Sequence, residues 1–492
     1  MRGFRGRLAA AGALLALSAC TGGGSTTATS GSAGATAAAP ATSTTTAAAT
    51  TGPCTLRARQ DWALAQLRDW YLFPETLPTN VDPAAFTTVQ AYIDALTATA
   101  RAQGRDRNFT FITSIAGENA FFNSGSSAGF GVRLAFDAQQ RLFIAEAFEG
   151  APALAAGIDR GAEIIAIGTT TANLATVASL LASGGSGAVN EALGPSTAGT
   201  TRILRIADAA GTRNISVTKA DFALTPVSSR YGARIITDGG QRVGYINLRT
   251  FISTADPALR SAFADFRAQG ITRVIFDLRY NGGGLVSTAE LIGDLLGGAR
   301  TPSQVFSFTT FRPERSSNNS TRNFSPQPQS ISPMQIAFIG TSGTASASEL
   351  VINAMIPYLR ANAALIGSNT DGKPVGQIAL DMAACDDRLR VVAFATLNAD
   401  RRGDYFNGLA TVVEASCRAP DDLTRPLGDP AEGSVRAALD FLAGRACAPI
   451  TATATAGTGP APQSTAVRLD APNELLIADD PDAMQRQVPG AF

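Results

Sequence analysis

The sequence predicts a multidomain α/β protein, and three observations predict it. From residue 242 onward, β-rich runs such as Arg273-Val-Ile-Phe-Asp-Leu-Arg279 and Met334-Gln-Ile-Ala-Phe-Ile-Gly340 alternate with amphipathic stretches such as 256–269. That alternation is the mark of parallel strands joined by crossover helices. Between 124 and 220, short β runs broken by glycine-rich turns replace it, as in Gly129-Phe-Gly-Val-Arg-Leu-Ala-Phe136. Before them, Val89, Tyr92, Ile93 and Leu96 recur at helical spacing.

Taken in order, the chain opens on a targeting segment. Arg2, Arg5 and Arg7 precede an apolar run, Leu8 to Leu17, too short for a comfortable membrane span. Leu17-Ser-Ala-Cys20 resembles the bacterial lipobox, which implies lipidation at Cys20 and a cell-envelope location. Thr21, which is not aspartate, points by analogy to the outer membrane, with the protein facing the periplasm. Residues 21–52 are Ser, Thr, Ala and Gly with little else, the composition of a disordered tether.

Residues 53–120 read as a helical N-terminal domain. Trp62, Leu67, Trp70 and Tyr71 form one apolar face, and Pro74 and Pro78 break the region before the next helix. The β region, 124–220, contains the small-residue run Glu149-Gly-Ala-Pro-Ala-Leu-Ala-Ala-Gly-Ile158 and ends with strands near 201–207 and 213–219. The α/β region spans 225–447. Within it, residues 312–333 are polar and proline-rich and read as a loop. Residues 448–492 return to Thr, Ala, Pro and acidic residues and are expected to be mostly disordered.

Composition excludes some functions. There are 40 basic and 40 acidic residues, so no nucleic-acid footprint exists. Apolar content is 45%, enough for a sizeable core in a 492-residue chain. Beyond Cys20 there are four cysteines, Cys54, Cys385, Cys417 and Cys447, spaced too widely for a compact zinc motif. An exported protein with four cysteines suggests two disulfides, with three connectivities open. Cys385 with Cys417 and Cys54 with Cys447 is the pairing expected. Neither a metal nor a cofactor is expected.

The chain has no histidine, so a Ser-His-Asp triad cannot be built within it. It has two lysines, Lys219 and Lys373. Thr344-Ala-Ser-Ala-Ser-Glu349 lies between an apolar strand and a helical stretch, and Lys373 follows in Gly372-Lys-Pro-Val-Gly-Gln377. A serine at a helix start with a lysine base is a workable nucleophile pair. After the strand 273–279, Tyr280-Asn-Gly-Gly-Gly284 offers backbone N–H groups without intervening Cβ atoms. Structural alternatives stand beside these readings. Ser346 could be an N-cap, Ser348 a packing residue, Glu349 a first-turn acid and Lys373 a solvated loop residue.

Two resemblances collect these motifs. The 124–220 region resembles a PDZ domain, which implies that Gly129, Phe130, Gly131 and Val132 bind a peptide C-terminus added as a strand. The whole of 55–445 resembles the carboxyl-terminal processing, or tail-specific, proteases. It shares with them the order helical region, PDZ, catalytic core, and the segments Asp277-Leu-Arg-x-Asn-Gly-Gly-Gly284, Thr344–Glu349 and Gly372–Gln377. The resemblance implies a ClpP/crotonase-like α/β catalytic core. It makes Ser346 the nucleophile, Lys373 its base, Gln377 the residue orienting the amine, and the amides of Ala347 and of Gly282 or Gly283 the oxyanion hole. Lysine ordinarily titrates near 10.4, so this role needs a depression of about two to three units, roughly 3 to 4 kcal/mol. The implied substrates are proteins or peptides with accessible C-termini, with the membrane reached through the anchor at Cys20. An oligomer or an activating adaptor is left open. Two departures stand out: the Ser346–Lys373 interval is about two residues longer than usual, and Pro374 replaces the usual glycine. The competing function is a non-catalytic PDZ lipoprotein serving as an envelope scaffold.

Overall fold

A computed structural model describes residues 52–451 and 473–492. The signal segment, Cys20, nearly all of the tether and residues 452–472 lie outside the described residues. No helix among the described residues is long and apolar enough to cross a membrane.

The centre is a six-stranded sheet in the order Ala233–Asp238, Gln241–Asn247, Arg273–Asp277, Gln335–Gly340, Ala363–Gly367, Ala415–Arg418. Its first pair is antiparallel and the rest run parallel. Parallel strands covered on both faces read as continuous apolar runs. Here alternate residues feed two cores. Val274, Phe276, Ile336, Phe338 and Leu365 pack with the helices Ala255–Ala268, Val286–Leu296 and Ala347–Leu359. Ile275, Ala337, Ile339, Ala364 and Ile366 pack with Gly433–Leu442. The carboxyl ends of Arg273–Asp277 and Gln335–Gly340 therefore open side by side into the glycine loop and the serine turn.

The N-terminal helices Leu56–Trp70 and Val89–Leu96 do not form a core of their own. Ala63, Leu67, Tyr71, Tyr92 and Ile93 share one with Val375, Leu389, Val391 and Val392. These come from the antiparallel hairpin Val375–Met382 and Asp387–Leu397, which Phe111–Ser114 joins as a further strand. Polar Ser320–Asn323, inside the expected 312–333 loop, pairs with Val305–Phe311 at the other edge of this sheet.

The β domain has a seven-stranded sheet with its own core. Its helix Val177–Leu193 bends at Gly184 and Gly185. The expected disulfides are replaced by Cys54–Cys385 and Cys417–Cys447, with Cα atoms 5.4 and 5.5 Å apart. The reason is topological. Packing of the first helix on the hairpin brings Cys54 to the turn after Val375–Met382. The chain leaving Gly433–Leu442 returns along the edge strand of Cys417, where Arg418 N donates to Ala448 O at 2.7 Å.

A second correction concerns 448–492. Residues 473–492 are folded: Glu474–Leu475 extends the β-domain sheet and Ala483–Gln487 is a short helix capped by Asp482. Met484, Val488 and Ala491 are buried with Phe121, Phe148 and Phe222.

Candidate active site

The serine turn follows Gln335–Gly340. Thr344, fully buried, donates its hydroxyl to Leu278 O at 2.8 Å and accepts from Thr341 N at 2.9 Å. Ala345 N donates to Asn281 O at 3.0 Å, and so does the Ser348 hydroxyl, also at 3.0 Å. Ser348 is thus spent on structure. Ser346 opens the helix Ala347–Leu359 at φ +55°, ψ −113°. A non-glycine residue held there stores about 1–3 kcal/mol of strain.

Glu349 secures that conformation. Its carboxylate is fully buried, and one oxygen accepts both Ser346 N at 3.0 Å and Lys373 N at 2.7 Å. The other accepts Gly372 N at 2.7 Å. Two N–H groups sharing one oxygen atom are close neighbours, so Ser346 and Lys373 are pinned side by side. Asp371 N adds a bond to Thr344 O at 2.9 Å. Burial, with the Asp371 charge nearby, pushes Glu349 up to about 7 against these donors, which favour its ionised form. In the sequence Glu349 reads as a first-turn acid. Its reach to the 372–373 loop, 24 residues away, is not written in local spacing.

Lys373 donates its Nζ to Gln377 Oε1 at 2.9 Å and stands 4.9 Å from the centre of the Phe109 ring. Gln377 is itself anchored by a bond from Nε2 to Phe109 O. Burial lowers Lys373 to about 8, against the pull of Asp371 and Asp106. An amine that keeps a hydrogen-bond acceptor on one side yet loses its proton near pH 8 can accept a proton from a hydroxyl. Between Ser346 and Lys373 the chain runs through the helix to Leu359, the turn Arg360–Asn362 and the central strand Ala363–Gly367. Pro374 O accepts both Thr396 N at 3.0 Å and its hydroxyl at 3.1 Å, fixing the loop beyond the lysine.

The glycine loop rests on buried charge. Asp277 accepts from Tyr245 at 2.8 Å and from Arg279 at 3.0 Å, and Arg279 grips Glu432 through two bonds of 2.9 Å. Tyr280 is left-handed at φ +64°. Asn281 donates to Leu248 O at 2.8 Å and takes Gly283 N at 2.9 Å. Of the two glycine donors expected for an oxyanion, Gly283 N–H is therefore already committed. Gly282 N–H is free of that network and donates to Gln487 O at 3.0 Å. A Cβ on Gly283 would lie 2.9 Å from Ala347 N and from Ser346 Cβ, so the loop abuts the serine turn. Ala347 N finds no protein acceptor among the described residues.

Gly129 to Val132 lie elsewhere, in the β domain. Gly129 ends a strand paired with Ala220–Ala223, and Phe130 is buried, with Lys219 Nζ 4.7 Å from its ring centre. Gly131 N and Val132 N donate to Phe492 O at 2.8 and 3.2 Å. Neither that occupancy nor the tail's contact with Gly282 was legible in the sequence.

Residues 242–409 match the model of peptidase family S41, and 58–111 that of the peptidase S41 N-terminal domain. A carboxyl-terminal-processing protease of Synechocystis sp. is 26% identical over 232 residues, 47% of this chain and 50% of that one. The protein of that name from Picosynechococcus sp. is 26% identical over 252 residues, 51% and 55% of the two chains. The chain thus spans about half the length of these relatives. The solved structure of a Bacteroides fragilis protein described as an S41 protease superposes with a TM-score of 0.60 at 25% identity, covering 78% of this chain and 97% of that one.

Proposed function

We propose that this chain, which carries the peptidase and N-terminal domains of peptidase family S41, is a serine endopeptidase that acts on proteins or peptides offering accessible C-termini. In this reading Ser346 attacks the scissile carbonyl and forms an acyl-enzyme, and Lys373, neutral and held by Gln377, takes its proton and returns it to the leaving amine. Gly282 and Ala347 supply the amides that meet the developing oxyanion, and water releases the acyl group with Lys373 again as base. The loop Gly129–Val132 acts as a PDZ-type collector of substrate tails. A lipid anchor at Cys20 places the enzyme in the cell envelope, on the periplasmic side of the outer membrane.

The single observation that carries this reading is the Glu349 oxygen shared by Ser346 N and Lys373 N, which draws the backbones of the two residues together while Gln377 holds Nζ. The test uses protein lacking residues 1–20 and an unfolded protein substrate, with Ser346→Ala and Lys373→Ala alongside. Both variants are expected to lose cleavage by roughly a thousandfold or more. Equal cleavage by all three proteins would overturn the dyad. Tail binding without turnover by the unaltered protein would instead favour the scaffold.

A further inference from the structure

The groove at Gly129–Val132 is filled by the chain itself. Phe492 N donates to Val132 O at 2.9 Å, and Leu134 N donates to Gly490 O at 2.8 Å. Ala491 stands opposite Arg133 in an antiparallel bridge. With the bonds from Gly131 N and Val132 N to Phe492 O, residues 490–492 form a strand added to the edge of Val132–Phe136. This is the geometry by which a sheet edge recognises an extended peptide. The Phe492 side chain is 4% exposed and shares a cluster with Phe130, Val132, Val177 and Leu193. Gly129 is part of the fit, since a Cβ there would lie 2.9 Å from Phe492 C.

The same segment reaches the glycine loop. Gln487 O occupies Gly282 N–H at 3.0 Å, and a Cβ on Gly282 would meet Pro489 at 3.1 Å. Arg133, fully buried, donates through one nitrogen to Pro489 O at 2.5 Å and to Tyr280 O at 3.0 Å. One guanidinium therefore touches the tail and the base of the glycine loop together. The bonds that seat residues 487–492 on the groove and loop are largely backbone bonds on an edge strand and a loop, which a second peptide could replace one for one.

We propose that residues 487–492, Gln-Val-Pro-Gly-Ala-Phe, are the resident ligand of this groove. They show what it selects: an extended peptide of small residues closing on a buried aromatic side chain, at Phe492 in this chain. Because the tail is tethered, its effective concentration is of millimolar order. An incoming peptide of the same kind has to displace it, which also uncovers Gly282. The proposal rests on the reading of Gly129–Val132 as a peptide collector, and its binding test does not depend on hydrolysis.

The probe is a fluorescent peptide with the sequence of residues 486–492. It is titrated into protein lacking residues 1–20, with and without residues 488–492, each also carrying Ser346→Ala so that nothing is cleaved. The shortened protein is expected to bind at least about tenfold more tightly than the full one. A second variant, Phe492→Ser in the full-length tail, guards against misfolding of the truncation and should fall between the two. If unfolding curves show both variants folded and they bind no better than the unaltered tail, or do not bind, the resident-ligand assignment is wrong. If they bind as predicted while the protein with native Ser346 cleaves nothing, the peptidase reading fails and this one stands.

Discussion

Ser346 and Lys373 are fixed by groups that stay with the fold, whereas the groove at Gly129–Val132 is filled by a segment that can leave. At the first, a buried carboxylate takes three N–H groups from two loops, and the loops themselves hang from parallel central strands. At the second, the seat is an edge strand bonded through backbone atoms, with one buried side chain at its end. The difference is that between preorganisation and exchange. A reacting pair gains from being held before substrate arrives, while a recognition edge has to release one strand to accept another. The two meet at Gly282, whose N–H is expected to serve an oxyanion but is held by the tail.

The comparison is broken most severely by removing the clamp. In Glu349→Ala, three N–H groups, one buried and two part-buried, lose their acceptor, at up to about 1–3 kcal/mol each. Thermal melts should show a loss of about 3 kcal/mol or more, and kcat/KM should fall by roughly a hundredfold. Glu349→Gln, which keeps one acceptor oxygen, should lie between. An unchanged melting curve in Glu349→Ala would mean that the shared carboxylate is not what holds the two loops.

A milder change should separate stability from chemistry. The Cys54–Cys385 bridge ties the start of the first helix to the hairpin that carries Gln377. Replacing both cysteines by serine should lower stability by about 2–4 kcal/mol, while cleavage at 25 °C stays within about twofold. A large loss of activity in a folded protein would mean that the bridge positions Gln377 rather than merely stabilising the sheet.

What the sequence could and could not disclose follows from the range of the interactions. The parallel core was legible because its strands are apolar on both faces, as in Ile336-Ala-Phe-Ile339. The candidate site was legible through residue type: a chain without histidine and with two lysines leaves few bases for a serine. Contacts across hundreds of residues were not. Arg133 meets Pro489 at a separation of 356, and Cys54 meets Cys385 at 331. The tail misled for a second reason. Leu475, Leu476, Met484, Val488 and Phe492 follow neither a helical nor a strand period, because they are divided among three separate clusters. The edge strand Ser320–Asn323 was hidden by its polarity, since half of it faces solvent.

The central claim is that Lys373, deprotonated near pH 8, activates Ser346. The most direct measurement is the rate at which a fluorophosphonate labels the protein, followed by mass spectrometry between pH 6 and 10. Labelling requires only the nucleophile and its base, so later steps cannot mask the titration. Burial lowers the Lys373 pKa to about 8; its neutral form, and hence the rate, must grow as pH rises through that value. The prediction is a single adduct on Ser346, with a rate that rises sigmoidally with a midpoint near pH 8 and is lost in Lys373→Ala. An adduct on another residue, or a Ser346 rate indifferent to pH and to Lys373, would contradict it.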